Sequence, residues 1–167
     1  YFRDIFFPPF EILRPIPPLA WVPASIVFWP TTEMSIAFVT FLGAFFTIVI
    51  NVLGGARSID VRYLRAAQSM GASQWDLFYR IILPGTLPSI FTGAAVGMGI
   101  TWEVVLAGEM ISGGGGQQAS GGLGFFIWSS YMGGTVATVI VGMISIGIAG
   151  YLSSSLIRVI GEHSMPW

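Results

Sequence analysis

An all-α, multi-pass membrane fold is what this sequence predicts, and three observations predict it. Hydrophobic residues make up 54% of the 167 and charged residues 9%, against roughly 25% charged in an average soluble domain. Three runs, 34–53, 86–108 and 134–157, carry almost no charge. Each is long enough to cross a hydrocarbon layer of about 30 Å, which takes roughly 20 helical residues. Finally, the arginines segregate: Arg57, Arg62, Arg65 and Arg80 cluster in one stretch, and the connections at 31–33 and 109–133 hold no Lys or Arg. With the cluster on the cytoplasmic side and four passes, Arg3, Arg14 and Arg158 fall on that side too, as the positive-inside rule requires.

The segment 15–30 is apolar but holds five prolines, which argues against a straight helix. It reads as a broken or partly re-entrant pass. Irregular backbone at membrane depth must be shielded by protein or face a water-filled path, so this segment is a candidate pathway wall. The chain opens at Tyr1 with neither an initiator Met nor a signal-peptide pattern, and is expected to be N-terminally truncated. It is treated as a single transmembrane domain over 1–167. There is no cysteine, and a lone His163 near the end builds no metal site.

Between the first two long runs lies the most structured polar stretch, about 57–85. Ser58 and Asp60 are N-cap candidates for a helix through Met70, in which Val61, Leu64 and Ala67 recur at helical spacing. Gly71 suits a left-handed helix terminus. Ser73 and Asp76 match a capping box that starts a second helix, on which Trp75, Phe78, Tyr79 and Ile82 share one face. Leu83 and Pro84 are expected to stop the element, and Pro88 to lie near the start of the next pass. The apolar face either packs on the chain's own membrane helices or meets a cytoplasmic partner in a helix-in-groove contact.

Ala66-Ala67, three residues, Gly71, nine residues, then Ile81-x-Leu83-Pro84 resembles the EAA loop of ABC importer permeases, with Arg65 in place of the usual Glu. The 13–23 segment LRPIPPLAWVP, Asn51 with 57–60, and Glu109-Met110 resemble the nitrate, sulfonate and taurine (NitT/TauT) branch of that superfamily. The resemblance covers 8–110 well. It implies a type I ABC importer permease in a bacterial-type plasma (inner) membrane, with the C-terminus cytoplasmic. The implied partners are cytoplasmic ATP-binding subunits, which hold ATP-Mg, a second permease copy in a homodimer, and an extracytoplasmic solute-binding protein. Nucleic acid is not among them. The chain itself would bind no cofactor and hydrolyse no ATP. Its cargo would be a small anion or organic solute of the nitrate, sulfonate/taurine or bicarbonate class. ATPase coupling would rest on Arg65, Ala66, Ala67, Gly71, Trp75, Phe78 and Ile82.

Path or gate candidates are Trp102, Glu103 and Glu109. A carboxylate inside a membrane pass is costly unless it meets a partner or water, so Glu103 is either a functional group or a structural Glu between subunits. A charged Glu103 would repel anions. Glu109 stands nearer the outer boundary. Gly93 and Gly97 form a GxxxG pair suited to close helix packing, and Asn51 could hydrogen-bond across helices. The glycine run 113–124 lacks the Gly-Lys-Ser/Thr ending of a phosphate loop and reads as a connection into Phe125-Phe126-Ile127-Trp128. One rival is a transporter or channel driven by an ion gradient through Glu103. Another is an intramembrane enzyme pairing Glu103 with Glu109, but six residues' separation puts them on opposite helix faces.

Overall fold

The computed structural model describes residues 2–111 and 121–165, with side chains from residue 8 onward. The elements are α1 (Phe2–Leu13), a 3₁₀ turn (Pro18–Trp21), α2 (Val22–Phe28), α3 (Thr32–Ser58), α4 (Val61–Ser69), α5 (Gln74–Leu77), a π-helical turn (Phe78–Ile82), α6 (Leu83–Ile111), α7 (Leu123–Met132) and α8 (Val136–Ser164). Among the described residues, Thr32–Ser58, Gln74–Ile111 and Val136–Ser164 are long and apolar enough to cross a membrane. The runs 34–53 and 86–108 lie inside α3 and α6, which extend them at both ends, and 134–157 falls on α8, which starts two residues later and runs on to Ser164. At 27 and 29 residues, α3, α6 and α8 are about 40 Å long at 1.5 Å per residue.

The central contact is the antiparallel pair of α3 and α6, and small residues set its distance. A methyl group built on Gly93 would come within 2.8 Å of the Asn51 side chain, and one on Gly43 within 3.1 Å of Ile100. Gly55 faces Thr86 and Ser89, and Gly108 faces Ile36. Each step back along α3 is matched by an equal step forward along α6, so the register holds over the whole bilayer depth. Gly93 and Gly97 therefore act as a packing pair, while Gly99 has open space at its Cβ position. Asn51 differs from expectation. Its amide donates to the Thr47 carbonyl of its own helix at 2.9 Å, while its side chain packs on Gly93.

Helix α8 runs antiparallel to α6 on another face, with Gly161 against Phe91 and Gly150 beneath Trp102. Elsewhere α8 exposes Val141, Ile144, Ile148, Leu152 and Leu156, a chemistry suited to lipid or to another apolar helix. The proline-rich segment is broken as expected, into the 3₁₀ turn and the seven-residue α2. It wedges beside α3 and α6, where Val22, Val39 and Val104 form the buried cluster with Leu19, Trp21, Phe38 and Ile100 around it. Ser35 ties it down by donating to the Ser25 carbonyl at 3.0 Å.

Arg14 departs from the expected topology. Its N–H bonds to the Phe10 carbonyl, and Phe10 packs on Phe45 and Phe46 with ring centroids 6.4 and 5.1 Å away. Pro18 lies against Gly43. Arg14 is thus beside the middle of α3, not at the end that carries Arg57. The physical reason is that 15–30 does not span the bundle: prolines break it into pieces too short to bring Arg14 to that end.

We expect Gly93→Leu to abolish accumulation of folded full-length permease, whereas Gly54→Leu, with nothing within 4 Å of its Cβ position, leaves it near the parent level. Detergent-extracted, monodisperse protein measured by fluorescence size-exclusion checks the pair.

Candidate functional site

The polar stretch folds into two short helices at one end of the bundle. Asp60 caps α4 by accepting from the Arg62 N–H at 2.8 Å, and also binds the Arg62 side chain at 2.7 Å. That side-chain bond, then the backbone one, holds its carboxyl below the ordinary range. Met70 closes α4. Gly71 follows with φ of +87°, a left-handed conformation that side chains strain to adopt, and its N–H bonds to the Gln68 carbonyl at 2.9 Å. The capping box is complete: the Ser73 hydroxyl accepts from the Asp76 N–H, and the Asp76 carboxylate accepts from the Ser73 N–H. The Ser73 hydroxyl, followed by its backbone N–H, lowers the Asp76 pKa.

Two sequence expectations change here. Ala67 is 8% exposed, so its small side chain serves packing inside the loop, and the small residue on the outer surface is Ala66. Leu83 and Pro84 do not end the element. The N–H of Leu83 reaches back to the Phe78 carbonyl, a five-residue step that makes a wide turn. After it, Pro84 stands in the first turn of a fresh α-segment, where no N–H is needed. The chain from Gln74 to Ile111 is consequently one continuous helical rod.

The apolar face is left uncovered. Trp75 is 71% exposed and Phe78 42%, and Tyr79 stacks on Trp75 at 6.0 Å and meets Phe78 edge-on at 5.1 Å. Ile82 is half-buried where the rod enters the bundle, and Arg65 is exposed on α4. The buried member of α5 is Leu77, which sequence reasoning passed over; its phase opposite Trp75 was the available signal. Exposed Arg65 and Ala66 on α4 and the exposed Trp75, Phe78 and Tyr79 cluster thus belong to one helical pair, a surface with the chemistry of an anchor for a grooved protein partner.

The three membrane candidates do not converge. The Trp102 indole N–H donates to the Ser153 hydroxyl at 2.9 Å, tying α6 to α8. Glu109 turns to the start of α7 and accepts from the Gly124 N–H at 2.7 Å, a favourable place for a carboxylate at a helix N-terminus. Gly122 is hemmed in by the same carboxylate. Neither partnership was visible in sequence, since Ser153 is 51 positions away; the small Gly122 and Gly124 hinted at the second. Glu103 is exposed on a third face of α6. With Glu103 and Glu109 turned apart, a paired-carboxylate site does not form. Among the described residues no group of metal-ligating side chains is present. Residues 112–120, most of the glycine run, lie outside the described residues.

A match over residues 1–166 to the binding-protein-dependent transport system inner membrane component decides the family. The chain belongs to it. It is 39% identical over 157 residues to a putative ABC transporter permease protein of Methanocaldococcus jannaschii, covering 94% of this chain and 57% of that one. It is 36% identical to the nitrate import permease NrtB of Leptolyngbya laminosa, over 95% of this chain and 55% of the relative. Against the taurine transport permease TauC of Escherichia coli K12 it is 35% identical over 99% and 58%. The chain thus spans a little over half the length of these relatives. It is an all-α membrane permease of the NitT/TauT branch.

Gly71→Ala adds a methyl that meets open space, so only the left-handed strain of about 1–2 kcal/mol applies. Gly71→Pro in addition forbids positive φ and removes the bond to Gln68. Limited proteolysis of the full-length permease should therefore cut the loop slowly in the parent, moderately faster in Gly71→Ala and fastest in Gly71→Pro.

Proposed function

We propose that this chain works as the membrane permease part of an ATP-driven importer for a small anion or organic solute, and that the 57–85 loop couples it to a cytoplasmic ATPase. The observation that carries the reading is the exposed Trp75, Phe78 and Tyr79 surface on a rod continuous with α6. Two permease copies pair around a central path, as the family resemblance implies. Cytoplasmic ATP-binding subunits, which hold ATP-Mg, seat the loop of each copy, and an extracytoplasmic binding protein delivers cargo. The C-terminus of α8 then lies on the cytoplasmic side with the loop.

In this mechanism closure of the ATPase dimer moves the two loops together. Because helical residues run on from Gln74 to Ile111, with Pro88 inside that span, the motion tilts α6, and the close-packed α3 follows. Access to the path alternates accordingly. The chain performs no hydrolysis; its work is mechanical. Nitrate and taurine are what the names of two relatives specify, and they support cargo of the oxyanion class.

The structure makes the docking test specific to one alanine. In the full-length permease assembled with its ATPase, Ala66→Cys should crosslink to cysteines around the ATPase groove with a yield that changes with ATP. Ala67→Cys, being buried, should crosslink at least about tenfold less, as the reactivity of a thiol follows its exposure. No crosslink from position 66 or from Trp75→Cys in correctly inserted protein would remove the coupling assignment and favour a gradient-driven transporter.

A further inference from the structure

Three charged side chains at bilayer depth are left over by this account, Glu11, Arg14 and Glu103, and the placement of Arg14 is informative. Arg14 lies between Phe10 and Pro18, which pack near the midpoint of the 27-residue α3 on Phe45, Phe46 and Gly43. It is exposed. Among the described residues no ion pair to Arg14 forms, and Glu11 in the last turn of α1 makes none with it. A guanidinium at this depth is costly unless it faces water or an anion.

The backbone supports the same conclusion. Around Arg14 the chain has left the helix of α1 and not yet entered the 3₁₀ turn, with Pro15, Pro17 and Pro18 close by. Irregular backbone at membrane depth persists only where protein shields it or a watery cavity borders it, and broken helices at the midplane are where transporters hold cargo. Pro18 and Ile100 of α6 both lie against Gly43 of α3. On that helix Thr92, Val96, Gly99 and Glu103 are all exposed at helical spacing, a mixed strip of which Thr92 and Val96 also border a cavity with Arg158 and Glu162 of α8. It contrasts with the large aliphatic residues that α8 exposes.

We propose that Arg14 is a mid-membrane transit site for the oxyanion group of the cargo, a nitrate, sulfonate or carboxylate, which its planar guanidinium receives through two parallel hydrogen bonds. This rests on the importer reading above. The side chain projects into the water-filled path bordered by the exposed strip of α6. Cargo leaves the site readily because Glu103 on the same strip keeps the local field from becoming strongly positive, and conduction requires binding weak enough to release.

The absence of cysteine permits a direct test in the full-length permease assembled with its ATPase. Gly99→Cys has open space around it and is labelled with two water-soluble methanethiosulfonates, one carrying a sulfonate and one a quaternary ammonium. With Arg14 present the sulfonate reagent should be favoured. Arg14→Gln should lower the sulfonate-to-ammonium rate ratio about tenfold, since local charge raises the concentration of an opposite charge in a cleft, and Arg14→Lys should largely restore it. Arg14→Cys itself should react with both reagents, whereas Ile148→Cys, on the exposed aliphatic face of α8, should react with neither.

An unchanged ratio in Arg14→Gln overturns the site. So does a ratio that shifts only after Glu103→Gln is added, which would mean that Glu103 of a second copy already neutralises Arg14. Failure of both Gly99→Cys and Arg14→Cys to react places them in lipid or a sealed contact and has the same effect. The Ala66 crosslink reads the importer assignment separately, so a permease that docks its ATPase yet shows no charge selectivity loses only the Arg14 site.

Discussion

The close approach of α3 and α6 is the constraint on which the rest of the structure depends. Between helices in a bilayer there is no hydrophobic driving force, so association relies on packing contacts and needs small residues where backbones meet. Gly43, Gly55, Gly93, Gly97 and Gly108 supply these along the whole interface. Their even distribution fixes the antiparallel register, and the register leaves α6 with three distinct faces. One is spent on α3, one carries Phe91 and Trp102 toward α8, and the third exposes Thr92, Val96, Gly99 and Glu103. The proline-rich segment then has a single groove to fill, beside Gly43 and Ile100, and that placement brings Arg14 to mid-depth.

The same constraint gives the loop its mechanical meaning. An exposed aromatic cluster at the end of a flexible tether could bind a partner without moving anything. Here Trp75, Phe78 and Tyr79 stand on a helix that enters the bundle through the wide turn at Phe78–Ile82 and continues to Ile111, where Glu109 caps α7. One rod thus links the surface proposed to meet the ATPase with the far end of the membrane domain. The branch contains permeases named for nitrate and for taurine, and a mid-membrane arginine is a feature that cargo with an oxyanion group can use.

Much of this was legible in the sequence. Charge-free length announced the three crossing helices, since hydropathy is the strongest signal a membrane chain gives. Local chemistry announced the loop: the Asp60 cap, the turn at Gly71 and the Ser73–Asp76 capping box all formed where their residue types placed them. What failed were inferences about direction. Helices that are apolar all round carry no periodicity to say which face pairs with what, so Trp102, Glu103 and Glu109 could not be sorted among the three faces of α6. The burial of Ala67 beside an exposed Ala66 follows from helical phase, which put Ala67 in step with Val61 and Leu64. Pro84 was read as a stop because a π turn, which resets the helix just before it, leaves no compositional trace. Arg14 was set at the bundle's end by counting passes, and the broken 15–30 segment invalidates the count.

The central claim is that the loop and α6 move as one body. It is tested most directly by spin labels at Gln74→Cys and Ile111→Cys in one permease copy of the assembled importer, the other copy being unlabelled, beside a second sample labelled at Gln74→Cys alone in both copies. The span is about 55 Å at 1.5 Å per residue, within reach of double electron–electron resonance. The account predicts that this distance stays constant when ATP is added, while the distance between residues 74 of the two copies shortens. A change of several ångströms within the single copy, with the loops moving independently of residue 111, would contradict it.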